Sequence, residues 1–297
     1  RSPHPHARIK SIDTSKAEKL PGVMAVMTSK DIVDFPIDKG PVMLGIQDMR
    51  WMCRNVMARD KALFHGHPVA AVAADTQAIA AEACKLIKVD YEVLPWVIDV
   101  DEAKKDGAPT LFDHIKFDGK PSNIAGTLEH KLGDIDAGFK EAEVIVERSF
   151  KTEAVHQGYI EPHTATADWQ NDGSLVIYSS SQGSFQIVRD PLATILKMPA
   201  SRIRAVPMEI GGGFGGKNRI YCEPLAAMLA KKAGHPVKLS MTREEVIKAS
   251  GPAAGLAAHV VGVGTGAGRG HPLAVAALIL RGRTACGVRR SGWISDR

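Results

Sequence analysis

Long apolar runs and paired cysteines are both missing from this sequence. No stretch approaches the roughly 18 consecutive apolar residues of a membrane-spanning helix, so we predict no membrane span. The four cysteines, Cys53, Cys84, Cys222 and Cys286, lie far apart and form no C-x-x-C pair. This spacing predicts neither a disulfide framework nor a zinc or iron–sulfur site in the chain, and it favours a reducing, cytoplasmic location.

A lysine-free segment accounts for the excess of positive charge. Residues 251–297 carry six arginines and one acid, which equals the formal net charge of +5 for the whole chain. The rest of the chain is neutral, so we predict no nucleic-acid partner for it. The segment is rich in Gly, Ala and Arg and has neither helical nor strand periodicity. We predict an aberrant or disordered tail, such as a shifted reading frame would produce, and an RNA-binding extension is the less favoured alternative.

The first hundred residues alternate short strands with short helices. An apolar fraction of 44% in 297 residues is enough for the cores of two domains. The patterns predict helices at 14–20 and 76–89, and strands at 7–13, 22–28, 67–75 and 89–95. This order predicts an α+β domain with its helices on one side of a sheet.

A second unit follows a polar stretch that contains Pro and Gly. Residues 143–154, 164–170, 174–180, 202–208 and 236–241 are predicted strands, with a hairpin at Asn171-Asp172-Gly173. Residues 221–234 are a predicted helix closed by Gly234, and Thr242 to Glu245 form a capping box for another. The predicted boundaries are a first domain at 1–105, a linker at 106–123, a second domain at 124–250 and the tail at 251–297.

The run EIGGGFGGKN, residues 209–218, satisfies two nucleotide-binding patterns at once. As G-x-G-x-x-G it lacks the acidic residue expected at the tip of the next strand, which argues against a dinucleotide fold. As a P-loop it has Asn218 where a magnesium-binding Ser or Thr belongs. So many glycines cost backbone entropy, about 0.5–1 kcal/mol each relative to Ala. We therefore expect something to approach this backbone closely, and a P-loop-like nucleotide binder remains an alternative.

The segment HQGYIEPHTA also gathers metal-binding residue types. Its His156, Glu161 and His163 fit no zinc spacing, so we do not predict a metal site there. We expect Gln157 and Glu161 to orient neighbouring strands instead.

Several motifs together resemble one enzyme family. The stretch GGGFGGK, with SSSQGSF before it and EPLAAMLAKKAGHPVKLSMTREE after it, is similar to the molybdenum-binding subunit of the xanthine dehydrogenase and aldehyde oxidase family. The first hundred residues are similar to the a/b hammerhead domain of that family. The resemblance runs from residue 1 to about 250 and implies an α+β fold, with the hammerhead domain followed by the first part of a molybdopterin-binding domain. A non-catalytic assembly module is a further alternative, since the first domain alone would only pack against partners.

The resemblance also implies the cofactor contacts. Gln182 matches the glutamine whose amide bonds the apical ligand of molybdenum, and Asn218 stands where xanthine oxidases carry a glutamate that orients the purine. The cofactor-binding residues implied are Gln182, Gly183, Gly212, Gly213, Phe214 and Gly215. No side chain would ligate the metal directly, because two sulfurs of the molybdopterin hold it.

The implied reaction is hydroxylation of an aldehyde, an aromatic heterocycle or an acyl thioester, with water as the oxygen source. The form of the pterin, for instance a cytosine dinucleotide, stays open. Electrons would leave through iron–sulfur clusters to FAD on partner subunits, in a dimer of heterotrimers. The general-base glutamate of the family is expected downstream of this chain, so we expect an N-terminal fragment that is inactive by itself.

Overall fold

The computed structural model describes residues 1–36, 49–117, 119–124, 132–251, 253, 255–264 and 274–282. The chain forms two compact units. The first combines Arg1–Trp96 with His156–Pro252, and the second combines Val97–Val155 with Ala253–Arg297. The domain boundaries given above stay a prediction. Among the described residues, no helix is long and apolar enough to cross a membrane.

Eight α-helices are described, and most are short. They are α1 (Ser15–Glu18), α2 (Met49–Val56), α3 (Gln77–Leu86), α4 (Val100–Ala103), α5 (Ile135–Glu141), α6 (Asp190–Leu196), α7 (Glu223–Ala233) and α8 (Arg243–Ala249). A π-helical turn, Ser184–Arg189, leads directly into α6. The predicted capping box at Thr242 and Glu245 and the predicted end of α7 at Gly234 are confirmed.

The described strands number fourteen. They are β1 (Ala7–Asp13), β2 (Val23–Thr28), β3 (Lys61–Ala62), β4 (Ala70–Ala74), β5 (Lys88–Val93), β6 (Lys116–Phe117), β7 (Lys120–Pro121), β8 (Val144–Thr152), β9 (Thr164–Trp169), β10 (Leu175–Ser179), β11 (Ile203–Pro207), β12 (Val237–Ser240), β13 (Leu256–Gly264) and β14 (Ala274–Gly282). Each strand predicted from the sequence is present with nearly the expected bounds.

The strands of the first hundred residues form two sheets rather than the one that we expected. One has the order β3-β1-β5, and the other pairs β2 with β4. Residues of β2 and β4 are apolar almost throughout, and these strands contact α1, α3 and also α7 from the later part of the chain. Strands that are covered by several helices need apolar side chains on both faces, and this is why the two strands separate from the more polar β1 and β5.

The sheet that matters for function has the order β11-β10-β9-β12. The predicted hairpin joins β9 to β10, while β10 and β11 run parallel with Leu175 opposite Ile203. A parallel pair needs a crossover, and the π-helical turn with α6 supplies it. The core beneath the sheet contains Leu175, Ile177, Leu192 and Ala226. Because β10 and β11 are parallel, the loops that follow them meet at one edge of the sheet.

The second unit contains a sheet with the order β14-β13-β8. Strand β13 pairs antiparallel along the whole of β8, from Leu256 opposite Thr152 to Gly264 opposite Val144. The expectation of no regular structure beyond residue 250 is therefore wrong for β13 and β14. The remaining residues of the predicted tail lie largely outside the described ones.

Candidate functional site

Gln182 and the glycine run meet at the carboxyl ends of β10 and β11. The Gln182 side-chain oxygen, Oε1, accepts hydrogen bonds from the backbone N–H of Gly215 at 2.9 Å and of Lys217 at 3.1 Å. The backbone N–H of Gln182 donates to the carbonyl of Lys217 at 3.0 Å. Since only the oxygen of a carboxamide can accept, these bonds fix which way the amide points. Its Nε2 group is left as a donor on an exposed side chain.

The centre of the glycine run is a tight turn with an unusual backbone. The N–H of Gly216 donates to the carbonyl of Gly213 at 2.7 Å, and the two residues between them have positive φ, 49° at Phe214 and 87° at Gly215. This is the pattern of a type I′ turn. An L-residue at the first central position of such a turn has a left-handed backbone, which costs about 1–2 kcal/mol. Phe214 nevertheless occupies it and exposes 75% of its surface. A strained, exposed aromatic residue at the tip of a turn points to a functional role.

Three of the glycines are required because other groups approach their backbone. A Cβ at Gly213 would lie 2.6 Å from Gln182 Oε1, and one at Gly216 would lie 2.6 Å from Tyr159 Cε1. At Gly211 it would lie 2.6 Å from the Cβ of Glu161. The expectation that something approaches this backbone closely is confirmed, and the groups that do so belong to the chain itself.

Lys217 points into the protein and not towards a ligand. Its side chain is 0% exposed, its ammonium binds Glu161 Oε2, and it lies 5.3 Å from the centre of the Tyr159 ring. A P-loop lysine must reach phosphate oxygens at the start of a helix. Helix α7 begins only at Glu223, so the P-loop alternative is wrong.

The dinucleotide-binding alternative is excluded by the topology of the sheet. A βαβ unit places its two strands parallel in one sheet, with the glycines at the start of the helix between them. Here β11 and β12 lie at opposite edges of the four-stranded sheet, and β12 pairs antiparallel with β9.

His163 is part of a buried hydrogen-bond network, whereas His156 Nδ1 accepts from the backbone N–H of Gly158. The Tyr159 hydroxyl bonds His163 Nε2 at 2.7 Å and the Ser250 hydroxyl at 2.6 Å. Burial and the neighbouring Lys217 charge lower the pKa of His163 to about 3, so the ring is neutral. Within the described ranges, no group of three His, Cys, Asp or Glu side chains could hold a metal ion.

Two carboxylates acquire roles that sequence reasoning did not assign. Glu161 contacts the glycine run rather than neighbouring strands, because its Oε2 accepts from the N–H of Gly211 at 2.8 Å as well as from Lys217. Glu223 is buried at the start of α7, accepts from the Ser179 hydroxyl at 2.6 Å, and burial raises its pKa. The only sequence signal for Glu223 is the Glu-Pro pair that opens the helix.

Asn218 lies beside the turn and is partly exposed. Its side-chain nitrogen, Nδ2, would be 3.9 Å from a Cβ built on Gly215. The residue therefore lies next to the exposed side of the glycine run, where the sequence predicts a substrate contact.

Two family models match the chain. A molybdopterin cofactor-binding domain matches residues 116–269, and an aldehyde oxidase and xanthine dehydrogenase a/b hammerhead domain matches residues 1–95. The chain belongs to the xanthine dehydrogenase and aldehyde oxidase family. The α+β fold and the hammerhead domain followed by a molybdopterin-binding domain are thereby confirmed. The match continues to residue 269, so the expectation that the resemblance ends near residue 250 is wrong.

Individual relatives agree with this assignment. The chain is 34% identical over 248 residues to a probable xanthine dehydrogenase subunit of Bacillus subtilis (strain 168), covering 84% of this chain and 31% of the relative. It is 35% identical over 257 residues to the carbon monoxide dehydrogenase large chain of Afipia carboxidovorans, covering 82% and 31%. The solved structure of reconstituted CO dehydrogenase from Oligotropha carboxidovorans superimposes with a TM-score of 0.74 at 33% identity, covering 89% of this chain and 33% of that one. The chain thus spans about a third of the length of these relatives.

Proposed function

We propose that this chain contributes part of the site for a molybdenum–molybdopterin cofactor, in an enzyme that hydroxylates a small organic substrate. The observation that carries the proposal is the pairing of Gln182 with the glycine run. Two hydrogen bonds fix the carboxamide oxygen and a third fixes the Gln182 backbone, which leaves the amide nitrogen as a donor on an exposed side chain beside a strained, exposed turn. A residue that only packed a sheet would have no need of this arrangement.

The residues present fit such a cofactor chemically. The Gln182 amide can donate to an oxygen ligand without adding charge to the metal centre. Among the described residues, no hydrogen bond uses the N–H of Gly212 or Phe214, and neither residue is buried, so these groups can meet oxygen atoms of a pterin or its phosphate. Gly213 lies buried between them, and we propose it as a contact through its position in the turn. Gly183 and Gly215 complete the set of proposed contacts. The metal needs no protein ligand, because the pterin dithiolene provides two sulfurs.

When bound, the cofactor supplies the two-electron oxidation that introduces a water-derived oxygen into the substrate. The Gln182 amide would donate a hydrogen bond to an oxygen of the cofactor, and the exposed Phe214 ring would cover one side of it. The partly exposed Asn218 amide would contact the substrate.

Asn218 supports a substrate that a neutral carboxamide can bind. A carboxamide offers one donor and one acceptor group but no charge, so it can bind a carbonyl or a ring nitrogen. We propose an aldehyde, an aromatic heterocycle or an aromatic acyl thioester. A carboxylate at this position, which would orient a purine, is missing from this chain.

The electron path and the assembly belong to the same proposal. Two relatives are named as a subunit and as a large chain, which supports a multi-subunit enzyme. We propose iron–sulfur clusters and FAD on partner subunits, a dimer of heterotrimers and a cytoplasmic location. The general base would come from residues that this chain does not contain, so we expect residues 1–297 alone to show no turnover.

The test compares two glutamine substitutions at opposite ends of one sheet. Molybdenum, by elemental analysis, and extracted pterin are measured in the enzyme isolated with this chain, in the unmodified form and with Gln182→Ala or Gln170→Ala. Gln170 lies in the hairpin between β9 and β10 and, among the described residues, bonds only Asp168 and its own turn. We expect both contents to fall in Q182A and to stay unchanged in Q170A. Equal molybdenum and pterin in all three would refute the proposal.

A further inference from the structure

The buried charge of Lys217 has one acidic partner in the described structure. The ammonium binds Glu161 Oε2 and faces the Tyr159 ring, and the side chain has no contact with solvent. The hydroxyl of Tyr159 is itself held between His163 and Ser250, so the ring cannot turn away. This lysine is therefore fixed in one position from two sides.

Glu161 connects that lysine to the beginning of the glycine run. The same Oε2 atom accepts from the N–H of Gly211 at 2.8 Å, and the N–H of Glu161 donates to the carbonyl of Gly211 at 3.1 Å. The missing side chain at Gly211 allows the two backbones to come this close. One carboxylate oxygen thus joins residue 211 to residue 217.

The backbone of Lys217 continues the connection to Gln182. Its N–H donates to Gln182 Oε1 and its carbonyl accepts from the N–H of Gln182, at 3.1 and 3.0 Å. A shift of Lys217 would therefore move the Gln182 carboxamide. The contacts therefore form one continuous series: Gly211 bonds Glu161, Glu161 bonds the Lys217 side chain, and the Lys217 backbone bonds Gln182.

We propose that Glu161 and Lys217 are a positioning pair that closes the glycine run into a loop and sets the orientation of the Gln182 amide. Buried ion pairs add little net stability compared with apolar side chains, but they hold a defined geometry because an unpaired buried charge is costly. Lys217 is fully buried under the loop, whereas the Glu161 side chain is 32% exposed, so water reaches the pair only from the Glu161 side. Its consequence for the cofactor rests on the proposed function, whereas its effect on the loop does not.

Hydrogen exchange of individual amides tests the effect on the loop without any cofactor. The informative amides are those of Gly211, Gly215 and Lys217, which donate to Glu161 Oε2 and Gln182 Oε1. In Lys217→Met, the charge is lost while the volume is nearly kept. We expect exchange at Gly211 and Gly215 to accelerate about tenfold or more, and amides in the centre of β9 and β10 to change much less.

Coupling and spectroscopy separate positioning from general stability. If the two residues act through each other, Glu161→Gln combined with Lys217→Met should exchange no faster than Lys217→Met alone. The two side-chain amide signals of Gln182, assigned with Gln182→Ala, should move towards those of a free glutamine in K217M. Lys85→Met is the matched control, because Lys85 forms an exposed ion pair with Glu82 on α3. We expect no change in loop exchange or in the Gln182 signals there.

The outcomes distinguish this inference from the proposed function. Unchanged loop exchange in K217M, or equal acceleration across the whole sheet, would overturn the positioning pair. Should K217M fail to fold, Glu161→Gln decides, since it keeps an acceptor for the Gly211 N–H; unchanged exchange there would overturn the pair as well. Faster loop exchange in an enzyme that never contains molybdenum would leave the pair standing and refute only the cofactor proposal.

Discussion

The two ends of the β11-β10-β9-β12 sheet use glycine for different reasons. At the hairpin end, Gly173 has a φ of 78°, and a Cβ there would meet only the flexible end of Arg202 at 3.4 Å. At the other end, a Cβ on Gly213 would lie 2.6 Å from the oxygen of Gln182. The hairpin glycine satisfies a local turn, whereas the glycines of the site satisfy contacts with distant parts of the chain. One sheet therefore has a tolerant end, at the hairpin, and a demanding end, at Gln182 and the glycine run, where substitutions disturb contacts with distant residues.

Glu161→Ala should give the largest effect at the demanding end. It leaves the fully buried Lys217 ammonium without its partner; losing one member of a fully buried pair costs about 3–5 kcal/mol, and we expect a value below that range because Glu161 is 32% exposed and water can screen the charge. Urea unfolding followed by circular dichroism measures the loss. The matched change at the hairpin end is Asp172→Ala, which removes an exposed carboxylate that bonds Ser174, and we expect a much smaller loss of stability there. Equal costs at the two ends would break the comparison.

Gly213→Ala should come next. The added methyl group must displace the Gln182 side chain, so we expect a cost of about 1–3 kcal/mol, typical of overpacking. The loss of the Gln182 contacts should appear as faster exchange of the Gly215 amide. A stable variant with unchanged exchange would show that this end of the sheet is as tolerant as the hairpin.

Acid should weaken the demanding end through His163. Its pKa is about 3 in the folded protein and 6.5 without the fold, so between these values only the unfolded state takes up the proton. The contribution of His163 to the free energy of unfolding is fully present above pH 6.5. It falls as the pH drops towards 3, by up to about 1.4 kcal/mol per pH unit. His163→Gln should flatten that slope in unfolding curves measured between about pH 4 and 7, a range that lies within and just above this window.

His67 serves as a control for His163, because it lies in the first hundred residues and not at either end of the four-stranded sheet. Burial also lowers its pKa to about 3. His67→Gln should therefore flatten the slope as well, without changing the exchange of the Gly215 amide. An effect of this variant on the loop would mean that the pH dependence is not local.

Gly173→Ala should give the smallest effect. The hairpin must hold an L-residue at positive φ, which costs about 1 kcal/mol, and the nearby Arg202 side chain can move aside. Thermal unfolding measures this cost. The Gln182 contacts and the molybdenum content should remain as in the unmodified chain, and a change in either would contradict the independence of the two ends.

Local patterns predicted much of the fold. The strands around the hairpin, the end of α7 at Gly234 and the capping box at Thr242 follow from turn, cap and periodicity rules that act over a few residues. The separation of β2 and β4 into their own sheet could not be predicted in this way. It depends on α7, which lies more than a hundred residues further along the chain.

The site was accessible from the sequence only in part. Gln182 and the glycine run were identified through their resemblance to a family, and the roles of the six proposed cofactor contacts stay predictions. Glu161 was expected to orient strands, because a lone glutamate in a loop carries no sign of a partner 56 residues away. Strand β13 was missed since its Gly and Ala residues have a weak periodicity, and its pairing with β8 is what makes it a strand.

Sequence alone determined β1, β2, β4, β5 and the strands of the four-stranded sheet, the helices α1, α3, α7 and α8, and where the chain bends sharply at the hairpin, since propensities, caps and glycines act on neighbouring residues. Only the tertiary structure decided that Lys217 is buried rather than available to a phosphate, and that the Gln182 oxygen accepts from the loop backbone and leaves the amide nitrogen as a donor. The physical reason is that charge pairing and hydrogen-bond direction depend on which distant groups the parallel strands β10 and β11 bring to the same edge.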